Sequence, residues 1–303
     1  MKKKIILTGG LGQDGIILNK LLIRKNYLVY SITNKRKPFK KFKDTVYINI
    51  NLSNFNKINK LIEEIEPHAI IHLASKNVSS ESKKSMNHKI HYKENLLITK
   101  NIVNSIIENN KKIKFIFCGS SQMFKKKKGI VNENSIFMPD SFYSRYKIDA
   151  HKFIIKKKRK HTLNASTAIL FNHDSKHRNK KFLLPRLGQY LFENKVSLIE
   201  KIYQENISGD FSHAEDVCNG LYLLLKSNKN PDKIIFSSNK LSFINKLIRI
   251  GLKKIKLDIK IENKIKKKKV KKLIGDNSFA KKLLSWKIKK NVYLAFEEIL
   301  KKS

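Results

Sequence analysis

Residues 8–15 read TGGLGQDG, and the residues on either side give that stretch its meaning. A short apolar run, 5–7, leads into it, and a pattern of helical periodicity, 16–22, leads out. The glycines therefore stand where a first strand turns into a first helix. Gly9 is expected to make the tight turn, Gly12 to let the backbone approach a pyrophosphate, and Gly15 to let the helix lie close on the sheet. The free N–H groups of the helix start would face the anion, which gives Gly9, Gly12, Gln13, Asp14 and Gly15 as the first cofactor-binding residues.

Outward from the cradle, short β-branched runs alternate with longer amphipathic stretches. Residues 28–33, 46–50, 69–73, 114–118 and 167–171 read as strands, and 57–65, 95–108 and 143–158 as helices between them. This alternation predicts an α/β fold, a Rossmann-type doubly wound parallel sheet. Right-handed crossovers would bring every strand's C-terminal end to one rim, where the glycine turn, Ser120 and Asn172 fall. After residue 171 the pattern loosens, with helical stretches near 184–193, 214–225, 243–252, 278–284 and 292–300. The expected division is a dinucleotide-binding domain over 1–171 and a smaller, mainly substrate-binding lobe over 172–303. One strand of that lobe, near 233–236, is expected to return to the main sheet.

Bulk properties narrow the function classes. The chain has 303 residues, 41% of them apolar, enough for a full sheet and a second lobe. It carries 66 Lys and Arg against 24 Asp and Glu, a formal net charge of +42. Such a charge invites a nucleic-acid reading, whose mark would be binding that weakens steeply with salt. Only seven of the basic residues are Arg, the side chain suited to bidentate phosphate and base contacts, and the lysines are scattered along the chain. The charge, including the run 263–269 with Lys271 and Lys272, is read as solvated lysine, and nucleic acid is not the expected partner. Cys118 and Cys218 stand far apart, which suits a reduced compartment and offers no metal-ligand spacing, so no metal is expected. The start, MKKKIILTGG, has too short an apolar run for a secretory leader, and no stretch is long enough to span a membrane; a cytoplasmic location is expected.

The looser spacing Gly9-x-x-Gly12-x-x-Gly15 resembles the extended short-chain dehydrogenase/reductase superfamily, in which a Tyr and a Lys should follow. Tyr143-Ser-Arg-Tyr-Lys147 supplies them, one helical turn apart on one face. In that pattern the Lys147 ammonium lowers the phenol pKa of Tyr143, whose oxygen takes a sugar hydroxyl proton while hydride passes to a nicotinamide. Ser120, just past the strand ending at Cys118, would hydrogen-bond the same hydroxyl. Asn34, Lys35 and Arg36 stand at the end of the second strand, where an NAD enzyme presents an acidic residue; cations there suit a 2′-phosphate, so NADP is expected, with NAD the alternative. Asn51 and Leu52 would meet the adenine side, and His72-Leu73-Ala74-Ser75 the pyrophosphate side.

Several segments together resemble one subgroup, the GDP-mannose 4,6-dehydratases. GQDG at 12–15, ILFNHDS at 169–175, SHAEDV at 212–217 and LIGDNSFAKKLLSWK at 273–287 carry the similarity, which spans nearly the whole chain. It implies oxidation of a GDP-hexose at C4, loss of water across C5 and C6, and hydride return to C6. It implies substrate contacts from Asn172, His173, Arg178 and Arg186, and a homodimer or homotetramer paired through the helices at 95–108 and 143–158. Three departures accompany it. The family's STSE is here Gly119-Ser-Ser-Gln122, so Ser120 replaces a Thr and Gln122 replaces the Glu that removes the C5 proton. Gly209 stands where the family has an Arg, and Lys266 to Lys269 where it has Arg-Pro-x-Glu. An amide has no useful basicity, so a nucleotide-sugar 4-epimerase or 4-keto reductase is the alternative. The expected catalytic set is Ser120, Gln122, Tyr143 and Lys147, the last two also touching the cofactor.

Overall fold

The computed structural model describes residues 1–33, 42–76, 87–124, 129–257 and 272–301. In chain order the elements are β1 (Lys4–Thr8), α1 (Gln13–Arg24), β2 (Leu28–Thr33), β3 (Thr45–Asn49), α2 (Phe55–Ile65), β4 (Ala69–His72), α3 (His88–Asn109) and β5 (Lys114–Ser120). There follow a short 3-10 helix (Ser121–Phe124), β6 (Gly129–Val131), α4 (Phe142–His161), β7 (Ala165–Leu170), β8 (Asn172–Asp174), α5 (Leu183–Phe192), α6 (Val196–Gln204) and β9 (Ser208–His213). The remainder is α7 (Ala214–Lys226), β10 (Lys233–Phe236), β11 (Leu241–Phe243), α8 (Ile244–Lys254), β12 (Leu273–Gly275), α9 (Ser278–Leu284) and α10 (Val292–Leu300).

Among the described residues, seven strands form the main sheet in the order β10-β7-β5-β4-β1-β2-β3, and every pairing is parallel. The central strands explain themselves: β4 and β7 are buried at every position, as strands with helices on both faces must be. On one face the aliphatic side chains of α1 and α7 close over the sheet with Trp286. On the other, Ile58, Ile62, Ile102, Ile106, Tyr146 and Ile154 of α2, α3 and α4 cover it. Burying each of these large side chains stabilises by about 1.5–3 kcal/mol before conformational entropy is subtracted. A separate core joins α5, α6, α8 and α10 around Leu187, Ile199, Leu247 and Phe296. The edge strand β10 is covered at one point by Glu133, whose carboxylate accepts the Ile235 N–H at 2.8 Å.

Helix α4 starts where its first residues make it start. Ser141 accepts the Ser144 N–H and Ser144 reaches back to the Ser141 N–H, a reciprocal cap worth about 1 kcal/mol. That start puts Tyr143 and Lys147 in the first two turns, beside the end of β5. Three features escaped the periodicity reading: α6, and the two small sheets β11-β9-β8 and β12-β6. Four of the strands have three residues, too few to show alternation, and β9, six residues long, reads SGDFSH with a single apolar side chain.

Candidate active site

The cradle is built from close backbone approach. Gly9 has φ +74°, in the left-handed region, and a Cβ there would lie 2.9 Å from the Ala74 nitrogen. At Gly15 a Cβ would lie 2.5 Å from both the Gly10 Cα and the Gly9 oxygen, so only glycine lets α1 begin this close to the turn. Gly10, which the spacing rule passes over, is also closely packed: a Cβ would fall 1.6 Å from the Ser31 Oγ of β2 and 2.9 Å from its Cβ. Its signal was the doublet with Gly9. Gly12 is the N-cap of α1, exposed and extended, with its own N–H donated to Gly9 O at 3.0 Å.

The ends of β1 and β4 are locked by a buried polar chain. Thr8 Oγ1 accepts the Ala74 N–H at 3.1 Å and lies 2.7 Å from His72 Nδ1, and His72 Nε2 lies 3.2 Å from Thr99 Oγ1, which donates to Asn95 O. Burial first, and then the nearby Lys147 charge, bring the His72 pKa down to about 3, so the ring is neutral. One order of donation satisfies the chain: Thr8 to Nδ1, Nε2 to Thr99, Thr99 to Asn95. Asn95 also clamps the loop beyond Ser75, accepting the Lys76 N–H at 2.9 Å and donating to Lys76 O at 3.1 Å. Leu73, Ala74 and Ser75 thus run along the rim with their backbone fixed. Asn51, at the end of β3, is exposed with its side chain turned onto the Ser53 N–H, and Leu52 packs against the α2 and α3 core. Asn34, Lys35 and Arg36 lie outside the described residues.

Tyr143 is half-buried at the rim, its ring 6.3 Å from that of Tyr146. Lys147 is buried and donates to Cys118 O at 2.7 Å, with its ammonium 5.6 Å from the Tyr143 ring centroid and 4.8 Å from that of Phe117. Burial pushes the phenol above its ordinary range; Ser75, the Arg178 charge and Ser120 pull it back only in part. Lys147 was expected to be the group that lowers it. Its ammonium instead points at a carbonyl and is itself brought down to about 8 by burial. Ser75 faces the phenol but falls short of a well-formed hydrogen bond, so its buried Oγ has no partner among the described residues. Ser120 accepts the Gln122 N–H at 3.2 Å, placing Gln122 two residues beyond that serine on the 3-10 turn, partly exposed. Neither thiol competes as a nucleophile: burial pushes Cys118 up to about 12 and Cys218 well above its ordinary value.

On the facing side, β8 carries Asn172, exposed, with its amide donating to Asp210 O at 3.2 Å. His173 turns the other way. Its Nε2 donates to Asp14 Oδ1 at 3.0 Å and Oδ2 at 3.1 Å, and its Nδ1 to Phe171 O at 2.6 Å. Both nitrogens face acceptors, which only an imidazolium satisfies. Burial disfavours that charge, the Asp14 carboxylate outweighs it, and the His173 pKa is raised. Burial also works against the Asp14 carboxylate, yet His173, Arg178 and Gln13 bring it down to about 2. Gln13 donates to His173 O at 3.2 Å and accepts from Ser175 Oγ at 3.0 Å. Arg178 stacks on Phe182, 3.7 Å to the centroid, with Nε 3.5 Å from the buried Asp174 carboxylate. Arg186 is part-buried on α5.

The SHAEDV segment is a clasp. Asp216 accepts the Lys289 and Lys290 N–H groups at 2.9 and 2.7 Å, and its carbonyl accepts the indole N–H of the fully buried Trp286 at 2.8 Å. Asp210, beside Gly209, takes four donors from Ser238, Asn239 and Gly275. At Gly209 a Cβ would lie 3.0 Å from the Phe211 ring and 3.6 Å from the Asn172 amide, so a side chain there would border the Asn172 face. Lys266 to Lys269 lie outside the described residues.

The chain is similar to GDP-mannose 4,6 dehydratase 1 of Arabidopsis thaliana, 26% identical over 99% of this chain and 88% of that protein. In fold it is similar to a UDP-glucose 4-epimerase of Thermotoga maritima solved with UDP-glucose, at TM-score 0.82, 16% identity and coverage of 99% and 98% of the two chains. It is likewise similar to a dTDP-glucose 4,6-dehydratase of Bacillus anthracis in complex with NAD, at TM-score 0.81, 14% identity and coverage of 99% and 96%. A family model matches residues 6–302, and the chain belongs to the GDP-mannose 4,6 dehydratase family of enzymes.

Proposed function

We propose that this chain is an NAD(P)-dependent enzyme that acts on a nucleotide-activated hexose, and in the first instance a GDP-mannose 4,6-dehydratase. The observation that carries the reading is the Tyr143 phenol at the strand-end rim, between the Ser75 and Ser120 hydroxyls, with Lys147 one turn along α4. The cradle fits a dinucleotide: side chains are excluded at Gly9, Gly10 and Gly15, which leaves bare backbone beside the start of α1. Bound there, a nicotinamide would supply the acceptor for a hydride from the sugar C4. The chain's own residues do the rest. Tyr143, in its phenolate form, takes the C4 hydroxyl proton, Ser120 holds that hydroxyl, and Lys147 fixes the helix turn through Cys118 O. Gly12, Gln13 and Asp14 form the phosphate turn, Asn51 and Leu52 border the adenine, and Leu73, Ala74 and Ser75 border the pyrophosphate. Asn172, Arg178 and Arg186 meet the nucleotide sugar. NADP is the proposed form, on the strength of Asn34, Lys35 and Arg36 in the sequence. The same reading makes the chain a homo-oligomer through α3 and α4, which turn Ile90, Leu97 and Phe142 outward.

Gln122 favours a second reading. It sits next after Ser121 on the 3-10 turn where the family carries a carboxylate, and an amide cannot take the C5 proton. A C4 epimerase or 4-keto reductase needs no such base. Incubation with NADP and GDP-mannose separates the readings by mass: loss of one water supports the dehydratase, and an isomer of unchanged mass supports the epimerase. If no nucleotide hexose is altered, both fall.

A further inference from the structure

The phosphate turn and the sugar-facing strand end belong to different parts of the sequence, yet three contacts weld them together. Asp14 holds His173 through both carboxylate oxygens, Gln13 holds the His173 carbonyl, and Ser175 holds Gln13. A fourth contact, Cys218 Sγ to Asp14 O at 3.7 Å, joins α7 to the same point. Asn172, the exposed residue beside this knot, is held on its other side by β9, through the pairing of β8 with Phe211–His213 and through Asp210 O and Ser212 Oγ. A buried ion pair is a demanding element, because each charge requires the other in place. The start of α1 and β8 are therefore tied directly to each other.

We propose that the Asp14–His173 pair is a positioning link that makes occupation of the phosphate turn and of the Asn172 face mutually reinforcing. The proposal rests on the nicotinamide and nucleotide-sugar reading above and goes beyond it, since it assigns these two side chains to communication between ligands. His173 spends both ring nitrogens on the protein and has none left for a sugar. Asp14, an anion next to a phosphate site, is neutralised by His173 and Arg178, so it does not repel the ligand. The charged and titratable groups around the pair are Asp174 of β8, Arg178 after it, the Cys218 thiol of α7 and the Cys118 thiol of β5; both thiols stay neutral.

Linkage gives the test. Calorimetric titration with NADP and with GDP-mannose, each alone and each in the presence of the other, should show one reciprocal enhancement, about fivefold or more. His173→Gln, which leaves the carboxylate without an imidazolium, should bring the enhancement close to one. Asp14→Asn should weaken it and remove its pH dependence. In the native chain the enhancement should be full at pH 6 and fade as pH rises through the raised His173 pKa. The double variant Asp14→Asn with His173→Gln keeps a hydrogen-bonding pair without charge; with the native thermal midpoint and no enhancement, it assigns the effect to the charges and upholds the proposal. Undiminished enhancement in His173→Gln, or a native chain that binds both ligands independently, overturns it. A native chain that binds neither probe overturns the functional reading itself, a different result.

Discussion

Two carboxylate-rich or hydroxyl-rich regions carry the family's motifs, and they are satisfied to different degrees. Around Tyr143 the polar groups are left short: Ser75 has no partner among the described residues, and the phenol is held above its ordinary range by burial. Asp210 and Asp216 each accept two or more backbone donors, and Trp286 seals the Asp216 contact. An under-satisfied buried group is a standing free-energy penalty that a ligand can relieve; a saturated one fixes shape. The same resemblance therefore spans both the proposed crevice and the Asp210 and Asp216 contacts that hold the chain together, and these two carboxylates differ from Ser75 in being fully partnered.

If that contrast is sound, substitutions in the crevice should change turnover and leave folding alone, and substitutions in the clasp should do the reverse. Tyr143→Phe should lower C4 oxidation on the order of a thousandfold while denaturant unfolding stays near native; equal loss of stability would blur the distinction. Asp210→Ala strands donors from Ser238, Asn239 and Gly275 and should destabilise by about 3 kcal/mol or more in urea unfolding, with turnover of the folded fraction retained. Gln122→Glu should raise elimination of water on the order of a hundredfold if the amide limits it, read by product mass; an unchanged rate would point to another base or another reaction.

The Asp14–His173 pair lies between the two regions and gives the smallest effect. Asp14 is lowered to about 2, so its stabilisation is complete above the ordinary carboxylate range and lost as pH falls through about 2. His173 is raised, so its share is present below the ordinary imidazole pKa and lost as pH rises through its folded value. The native chain should show a stability plateau between those limits, and Asp14→Asn should lower that plateau by on the order of 2 kcal/mol in urea unfolding at pH 6. A variant with the native profile would show that the pair contributes nothing.

Much of the main sheet was legible because its strands are buried on both faces and must be apolar. The runs at 28–33, 69–73 and 167–171 fall on β2, β4 and β7 within two residues at either end. Helix α4 was legible from its periodicity, and its Tyr143 and Lys147 from their spacing. Helix α6 was not, because Val196–Gln204 is short and follows α5 with only Glu193, Asn194 and Lys195 between. Nor could the sequence show that Lys147 turns to Cys118 O, that Gly10 meets Ser31, or that Asn95 clamps Lys76, since each pairs residues distant in the chain.

The sequence by itself determined the alternation of strand and helix, the glycine turn, and which residue types stand at the strand ends, since these follow from local sterics and periodicity. Only the tertiary structure decided which polar groups are spent on the protein. His173 reads in the sequence as a candidate for a sugar and in space as the partner of Asp14, 159 residues away. Burial and pairing set the charge of such groups, and both are properties of the packed chain, not of any segment of it.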